Sequence, residues 1–398
     1  MKGRRKELEV EIKSFIKVYI IVIITAKSLL EREAKREMDA EIKNFIQVWI
    51  TAITSLCYCY YIVARIPRGM MRLLFLLPIF YLFTMLPCNL NSAHLGGSTA
   101  FFLGWLGNFK LLLFAFDQGP LSPPLPKLLH FISIACLPIK LKQDPPPNTK
   151  NNKNPSHQNT PKSHNLTKVT RSLLLVIKAL FLAMIIQAYE YRANLHLYVI
   201  LSLYCCHTYL AVEIILALAA APVQAFFGFE IELQFNEPYL ATSLQDFWGH
   251  RWNLMVSSIL RPTVYIPIRR ISANVIGSRW AALPAIISTF IVSGIAHEVI
   301  YFYFTRVHPT WEVTWFFVLH GVCTAIEIVV KKAATNKWQL HRAISGPLTV
   351  GFVAVTGFWL FFPQLIRNGV VEKAIKEYSI LADFVKVNLP LQLHLHKS

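Results

Sequence analysis

Long apolar segments constrain this chain more than any other feature of its sequence. Most of them reach the roughly 20 residues that an α-helix needs to cross the hydrocarbon core of a bilayer. In lipid, every backbone N–H and C=O must be paired inside the segment, and a helix does this without a partner. We therefore predict an all-α fold, a polytopic transmembrane helical bundle of about eight or nine spans. The candidate spans are residues 15–30, 45–64, 71–90, 98–116, 172–189, 195–221, 280–304, 313–330 and 346–366.

The charge of the chain fits a membrane protein better than a nucleic-acid-binding protein. Hydrophobic residues make up 54% of the 398 residues and charged residues only 16%, against about 25% charged residues in soluble proteins. The net charge is +18, but the basic residues lie mostly between the apolar segments. There they act as topology signals and contact anionic lipids. We expect the lipid bilayer as a partner and no nucleic acid.

The basic connections predict the orientation of the bundle. They alternate with connections that are poor in Lys and Arg, such as 91–97. Because positively charged loops stay in the cytosol, the basic connections define the cytosolic face. Residues 127–140 are apolar but short and are flanked by lysines, so we expect them to lie in the interface. The basic connections are 65–72, 117–171, 223–279 and 331–342.

One duplication and one low-complexity segment divide the chain. Residues 11–21 and 41–51 are identical at seven of eleven positions, which indicates a local duplication. Two copies do not make a repeat architecture, because that needs at least about three copies. Residues 144–165 are rich in Pro, Asn, Lys, Ser and His, and this composition predicts a disordered cytosolic loop. The predicted units are a duplicated N-terminal segment (1–40), N-terminal transmembrane helices (41–141), a low-complexity basic cytosolic loop (142–171), a transmembrane core with the candidate functional residues (172–368) and a C-terminal tail (369–398).

Polar side chains within the candidate spans are costly and are therefore candidates for function. The lysines among them can snorkel or pair structurally. His207 and Glu213 are six residues apart, so they point to different faces of one helix and make a poor dyad. His320 and Glu327 are seven apart, share a face and can hydrogen-bond across helices. The full set is Lys110, Lys178, His207, Glu213, His297, Glu298, His320 and Glu327.

His297 is the strongest of these candidates. It lies in the sequence Ser-Gly-Ile-Ala-His-Glu at 293–298, deep in a span that is otherwise apolar. The small residues before it let a neighbouring helix or a substrate approach closely. The residues alone leave two interpretations open: a packed histidine satisfied by a neighbouring carbonyl, or a residue with a functional role.

A second unusual segment, 243–270, lies between two candidate spans. Aromatic residues mixed with arginine suit a membrane interface. Interface anchoring does not require Asp or Asn, however, so the mixture predicts a polar network held by indole N–H groups. The residues concerned are Asp246, Trp248, His250, Arg251, Trp252 and Asn253.

These motifs resemble those of a known family. Asp-Phe-Trp-Gly-His-Arg-Trp-Asn at 246–253, followed by Arg-Pro-Thr-Val-Tyr-Ile-Pro at 261–267, resembles the plant wax synthases, the long-chain-alcohol O-fatty-acyltransferases. The resemblance includes Gln-Gly-Pro-Leu-Ser-Pro-Pro at 118–124 and extends over about 41–366. The chain is also similar, more loosely, to diacylglycerol acyltransferases of the membrane-bound O-acyltransferase superfamily. These carry a Phe-Trp-x-x-Trp-Asn motif and, after a similar interval, a His-Glu pair in a membrane helix.

The resemblance implies a role for several residues. His297 corresponds to the catalytic histidine of the family and Asn253 to its partner asparagine, in a bundle with an internal reaction chamber. The reaction implied is acyl-CoA plus a long-chain alcohol giving a wax ester and CoA, in the endoplasmic reticulum membrane. His250 stands where the family usually has arginine, a departure that leaves these two residues in place. Residues expected to support the site are Asp246, Trp248, Trp252, Glu298 and His320.

The chemistry of these residues suits that reaction. A neutral imidazole is a suitable base for an alcohol hydroxyl near pH 7, and an apolar site disfavours its charged form. An Asn N–H is a suitable donor to the oxyanion that develops at the thioester carbonyl. The phosphates of acyl-CoA, a substrate that enters from the cytosolic face, could meet a group of arginines whose other interpretation is topology. These are Arg251, Arg261, Arg269 and Arg270.

Other readings stay open at this point. A related enzyme would use a sterol or diacylglycerol as the acceptor. A protein of another class, a membrane transporter, would use the buried His and Glu residues as a proton relay. None of the seven cysteines forms a pair with metal-ligand spacing, so we expect neither a metal nor another cofactor. A homo-oligomer is left open.

Overall fold

A computed structural model describes residues 36–122, 125–140, 161–228, 231–333 and 341–380. Within them, eight helices are long and apolar enough to cross a membrane. This confirms the all-α polytopic fold and eight of the candidate spans, while residues 15–30 lie outside the described part. The helices are α1 (Arg36–Arg65), α2 (Met70–Asn89), α3 (Ala93–Ala115), α4 (Ser172–Asn194), α5 (Leu197–Phe227), α6 (Ala282–Thr305), α7 (Glu312–Ala333) and α8 (Arg342–Phe361).

The outer surface of the bundle is apolar. Phe226 is 84% exposed, Val275 78% and Trp359 69%, and many other large hydrophobic side chains are exposed as well. Soluble monomers rarely expose contiguous apolar patches of more than a few hundred Å². The surface is therefore built to face lipid.

Shorter helices connect the spans. Helix Leu128–Cys136 follows α3 and is too short to span, as predicted. A continuous helical segment from Leu254 to Ile276 precedes α6. After α8, a short helix Pro363–Arg367 is followed by a terminal helix, 370–380, in the region expected to be a tail.

The helix that contains α4 begins earlier than the sequence predicted. It starts at Pro161, within the segment 142–171 that was expected to be a loop. Proline is well tolerated in the first turn of a helix, because its missing N–H is one that the first turn leaves unpaired anyway. Because residues 161–171 are polar, the sequence pattern did not predict that a helix begins there.

Two intramembrane lysines have structural partners. Lys110 on α3 is fully buried and donates hydrogen bonds to the carbonyl oxygens of Ile134 (2.7 Å) and Leu137 (2.6 Å). It thereby satisfies carbonyls at the end of helix Leu128–Cys136, where no intrahelical donor remains. Lys178 on α4 donates to Glu213 on α5 at 2.6 Å. Both contacts confirm the structural interpretation of these lysines.

Helices α6 and α7 pack closely through two glycines. A Cβ on Gly294 would lie 2.9 Å from the Cα of Thr314, and one on Gly321 would lie 2.8 Å from the Cβ of Phe290. The backbones can approach only because neither position carries a side chain. The close approach lets side chains of α7 contact those of α6, among them Phe317, which packs against His297.

Candidate active site

The helices around the candidate site are interrupted by π-helical segments. In the described part of the chain these are Ala100–Gly107 within α3, Phe247–Arg251, Arg261–Tyr265 and Gly357–Phe361 within α8. A π-helical turn holds one more residue than an α-helical turn, so it rotates the side chains that follow it. Three of the segments each supply a ring to the site: Trp105, Trp248 and Phe361.

His297 lies on α6 within a cage of aromatic rings. Its ring centroid is 4.2 Å from that of Phe317 on α7, 5.1 Å from Trp105 and 6.1 Å from Phe361. Three other segments, in α3, α7 and α8, therefore converge on this histidine. Its surroundings are apolar, as the sequence predicted.

The hydrogen bonding of His297 defines its tautomer. Nδ1 lies 2.7 Å from the carbonyl oxygen of Ser293, one turn earlier on the same helix. A carbonyl oxygen can only accept, so Nδ1 carries the proton. In the neutral ring Nε2 is then left with a lone pair, and among the described residues it has no hydrogen-bond partner. The ring is thus oriented with Nε2 as an unpaired acceptor.

His320 differs from His297 because both of its nitrogens are engaged. Trp248 Nε1 donates to Nδ1 at 3.0 Å, so Nε2 carries the proton and donates to the hydroxyl of Thr356 at 2.8 Å. The ring is fully buried. His320 therefore links α7 to Trp248 and to α8, which confirms the prediction that it bonds across helices.

Asn253 occupies an unusual backbone position. Its φ is +38°, in the left-handed region that Asn tolerates better than most residues. Its Oδ1 accepts from the N–H of Val256 at 3.3 Å and caps the helix that starts at Leu254. This leaves the amide NH2 group without a hydrogen-bond partner among the described residues. The cap therefore fixes the orientation of a free donor.

The polar network predicted for this segment is present. Asp246 accepts from Arg251 Nε at 2.7 Å, and the same guanidinium donates to the carbonyl oxygens of Asn236 and Glu237. Trp252 stacks on Phe247 with centroids 5.5 Å apart. The guanidinium of Arg251 therefore holds this segment together through these contacts.

The remaining arginines of the predicted acyl-CoA group are free. Arg261, Arg269 and Arg270 are exposed and have no ion pair in the described residues. Arg261 lies over the ring of Tyr265, 5.9 Å from its centroid. The structure thus separates these three from Arg251, whose charge is already paired with Asp246.

The glutamates on α6 and α7 are placed differently. Glu298 Oε1 lies 3.3 Å from both the N–H and the hydroxyl of Thr314, which donate to it. Glu327 accepts from the N–H of Leu244 at 2.9 Å and from Lys331 at 2.5 Å, and it attaches the segment around Asp246 to α7.

Some of the predicted site residues contact one another in the structure, and others do not. Trp248 joins His320 directly and reaches His297 through Phe317, whose centroid is 5.8 Å from that of Trp248. No hydrogen bond or ring contact joins Asn253 to His297 among the described residues. Trp105, Phe317 and Phe361 were missed, because aromatic residues are ordinary in apolar spans and π-helical turns leave no signal in a 3.6-residue periodicity.

Comparisons with known proteins match the region that contains this site. The family model described as "Membrane bound O-acyl transferase family" matches residues 231–319. The chain is 52% identical over 340 residues to the long-chain-alcohol O-fatty-acyltransferase of Simmondsia chinensis, an alignment that covers 85% of this chain and 94% of the relative.

Two proteins of Arabidopsis thaliana match over a similar length. Probable long-chain-alcohol O-fatty-acyltransferase 1 is 48% identical over 339 residues, which cover 85% of this chain and 95% of the relative. Acyl-CoA–sterol O-acyltransferase 1 is 47% identical over 347 residues, which cover 86% of this chain and 96% of the relative.

Proposed function

The chain belongs to the membrane bound O-acyl transferase family, and within it to the wax synthases, and we propose that it transfers a fatty acyl group from acyl-CoA to a long-chain alcohol. The products are a wax ester and CoA. The observation that carries the proposal is the hydrogen bonding of His297, whose Nδ1 donates to Ser293 while Nε2 keeps a lone pair. This histidine lies within the stretch that the family model matches.

His297 acts as the general base. Nε2 takes the proton of the alcohol hydroxyl as the oxygen attacks the thioester carbonyl carbon. The tetrahedral intermediate then collapses, the C–S bond breaks, and the proton on Nε2 passes to the departing sulfur of CoA. The ring ends in the state in which it began, so no external proton is consumed.

Asn253 stabilises the charge that develops on the carbonyl oxygen. Its Oδ1 is held by the N–H of Val256, which supports the orientation of the amide NH2 as a donor. One such donor contributes about 2.7–4 kcal/mol to the transition state in a soluble enzyme.

The substrates reach the site from two directions. The phosphates of CoA bind Arg261, Arg269 and Arg270 at the cytosolic face, because exposed guanidinium groups without carboxylate partners are available for phosphate. The two long chains lie within the bundle, in a chamber next to the aromatic cage. The protein works in the endoplasmic reticulum membrane, without a metal or other cofactor.

Expression in a yeast strain that lacks neutral-lipid synthesis tests this function. With fatty alcohols supplied, the wild-type protein should form wax esters that are measured by mass spectrometry. His297→Ala should abolish ester formation at an unchanged protein level, because the base is removed. His250→Ala is the matched control, since the His250 side chain is 70% exposed and has no role in the mechanism. Normal activity of His297→Ala would refute the base assignment.

A sterol acceptor is the second candidate, and the sterol acyltransferase relative favours it. The same strain supplied with sterols or diacylglycerol distinguishes the acceptors. Sterol esters at a higher rate than wax esters would replace the alcohol by a sterol as the acceptor and leave the roles of His297 and Asn253 unchanged.

A further inference from the structure

A non-helical strap, residues 232–236, lies beside the segment that contains Asn253. The carbonyl oxygen of Gln234 accepts from the N–H of Leu254 at 2.8 Å. The N–H of Asn236 donates at 2.9 Å to the carbonyl oxygen two residues before Asn253. One of these hydrogen bonds precedes Asn253 in the chain and the other follows it, so the strap holds the backbone on both sides of this residue.

Asn253 needs this support because of its backbone conformation. Its φ of +38° lies in the left-handed region, and a residue other than glycine stays there only where its surroundings leave no alternative. The side chain supplies one constraint, since Oδ1 accepts from the N–H of Val256. The two backbone hydrogen bonds to the strap supply the others. The position of the free NH2 group of Asn253 therefore depends on the position of the strap.

The side chain of Gln234 attaches the strap to the rest of the bundle. Its Nε2 donates to the carbonyl oxygen of Pro138, in the loop after helix Leu128–Cys136. A carbonyl oxygen can only accept, which defines the orientation of the amide. The carbonyl oxygen one residue earlier in the loop accepts from Lys110 on α3 at 2.6 Å. A series of hydrogen bonds thus connects α3, through the Gln234 side chain, to the backbone around Asn253.

The other half of the Gln234 amide has a cost and no return. Oε1 is buried and has no hydrogen-bond partner among the described residues. An apolar side chain of the same length would avoid this unpaired oxygen. The presence of an amide at this position is therefore explained by its N–H donor, the group that reaches Pro138.

Two further contacts keep the strap on the protein without the Gln234 side chain. Phe235 is 4% exposed, and its ring centroid is 5.2 Å from that of Trp252. The N–H of Glu232 donates to the carbonyl oxygen of Lys140 at 2.9 Å. Loss of the amide donor should therefore shift the strap and leave it attached, so that the protein still folds.

We propose that Gln234 is a positioning residue for acyl transfer, which holds the NH2 group of Asn253 where the oxyanion forms. It acts through the backbone of Asn253 and not on the reacting atoms. The role of Asn253 as the oxyanion donor rests on the proposed function. The attachment of Asn253 to the strap is a separate matter, because it is a set of hydrogen bonds within the protein.

A methionine substitution tests the proposal by kinetics. Gln234→Met keeps the length of the side chain and removes the N–H donor. We expect kcat for ester formation to fall about tenfold, less than for loss of the oxyanion donor itself. The KM values for both substrates should stay within about twofold, since interactions made in the ground state are unchanged. An unchanged kcat would overturn the proposal.

The matched control is Gln224→Met on α5. Gln224 is exposed, and its side chain has no hydrogen bond among the described residues. This variant should keep the kcat of the wild type. A loss of kcat equal to that of Gln234→Met would overturn the proposal, because it would show that the contact with Pro138 is not the cause.

Coupling to Asn253 distinguishes positioning from a general structural role. In the Asn253→Asp protein the NH2 donor is absent, so adding Gln234→Met should lower kcat further by less than about twofold. The same tenfold loss in both backgrounds would overturn the proposal, because Gln234 would then act independently of Asn253.

Amide hydrogen exchange of the purified full-length protein measures the attachment without the reaction. Peptides that cover 253–257 should exchange at least about fivefold faster in Gln234→Met than in the wild type, with peptides of α7 unchanged. Unchanged exchange at 253–257 would overturn the proposal even where the wild type forms esters. Faster exchange in the variant, together with no ester formed by the wild type, would refute the proposed function and leave the attachment standing.

Discussion

Hydrogen-bond partners, and not membrane depth, distinguish the histidines of this protein. His207 lies within 3.2 Å of the hydroxyls of Tyr189 and Tyr378, one at each ring nitrogen. Both nitrogens of His320 are engaged as well, whereas His297 keeps Nε2 free. All three lie in apolar spans, so burial in the membrane alone does not separate them. The free nitrogen is the observation on which the proposed role of His297 as the base rests.

The cap that Asn253 forms and its proposed role as oxyanion donor can be separated by one substitution. Aspartate keeps a side-chain oxygen for the N–H of Val256, and it is as good an N-cap as asparagine. It lacks the NH2 donor and adds a charge that repels the oxyanion. We expect Asn253→Asp to fold and insert normally and to lower kcat by about 10²–10³-fold, the cost of one oxyanion donor.

The control for this variant is Asn253→Gly. Glycine adopts the positive φ of residue 253 without strain, but it removes the cap and the donor together. It should lose both activity and some thermal stability. Full activity of Asn253→Asp would show that Asn253 serves only as a cap.

At the level of secondary-structure elements, π-helical segments define the site. Those in α3 and α8 supply Trp105 and Phe361 to the ring of His297, and Phe247–Arg251 supplies Trp248 to His320. A regular α-helix would direct these rings to other faces. The site therefore depends on how the elements deviate from regular geometry.

Trp248 and Trp252 lie in one segment, and substituting each of them tests how this segment is attached to α7. Trp248→Phe removes the donor to His320 Nδ1 and leaves that buried nitrogen unpaired, which costs about 1–3 kcal/mol. Trp252→Phe makes the same change at an indole N–H that has no hydrogen bond among the described residues. The melting temperature in detergent should fall clearly more for Trp248→Phe. Equal losses would show that only ring packing matters.

The terminal helix 370–380 is attached to the start of α3 by Glu377. Its carboxylate accepts from the backbone N–H groups of Ala93 (2.6 Å) and His94 (3.1 Å), and it contacts the His94 ring at 2.7 Å. Burial opposes ionisation, but the hydrogen bonds from His94 and Ala93 outweigh it and lower the pKa of Glu377. The ionised carboxylate therefore stabilises the folded protein.

This attachment should depend on pH. A lowered carboxyl pKa contributes stability above the unfolded value of about 4.3, and that contribution is lost as the pH falls through the folded pKa. The wild-type melting temperature in detergent should therefore drop between about pH 5 and pH 3. Glu377→Gln should melt lower than the wild type at pH 7 and change less over that range. Parallel curves for the two proteins would contradict the role of Glu377.

On the scale of the whole molecule, the N-terminal duplication should be dispensable. The second copy begins at Glu41, whose carboxylate accepts from the N–H groups of Asn91 and Ser92 at 2.7 Å. Deleting residues 1–40 leaves this contact in place and should preserve ester formation. Deleting residues 1–65 removes α1 with its buried Leu56 and Val63, and it should abolish folding. Loss of activity in the shorter deletion would show that the first copy is needed.

The sequence by itself determined the membrane bundle, its spans and the residue types of the site. Length and apolar composition suffice for the spans, since a lipid-exposed backbone has few other ways to pair its polar groups. The motifs around Asn253 and His297 identified the family. The face that each polar side chain presents depended on the tertiary structure: π-helical turns and the close contact of α6 with α7 set it, and neither follows from periodicity. Only the fold therefore separated the free nitrogen of His297 from the engaged nitrogens of His320 and paired Arg251 with Asp246.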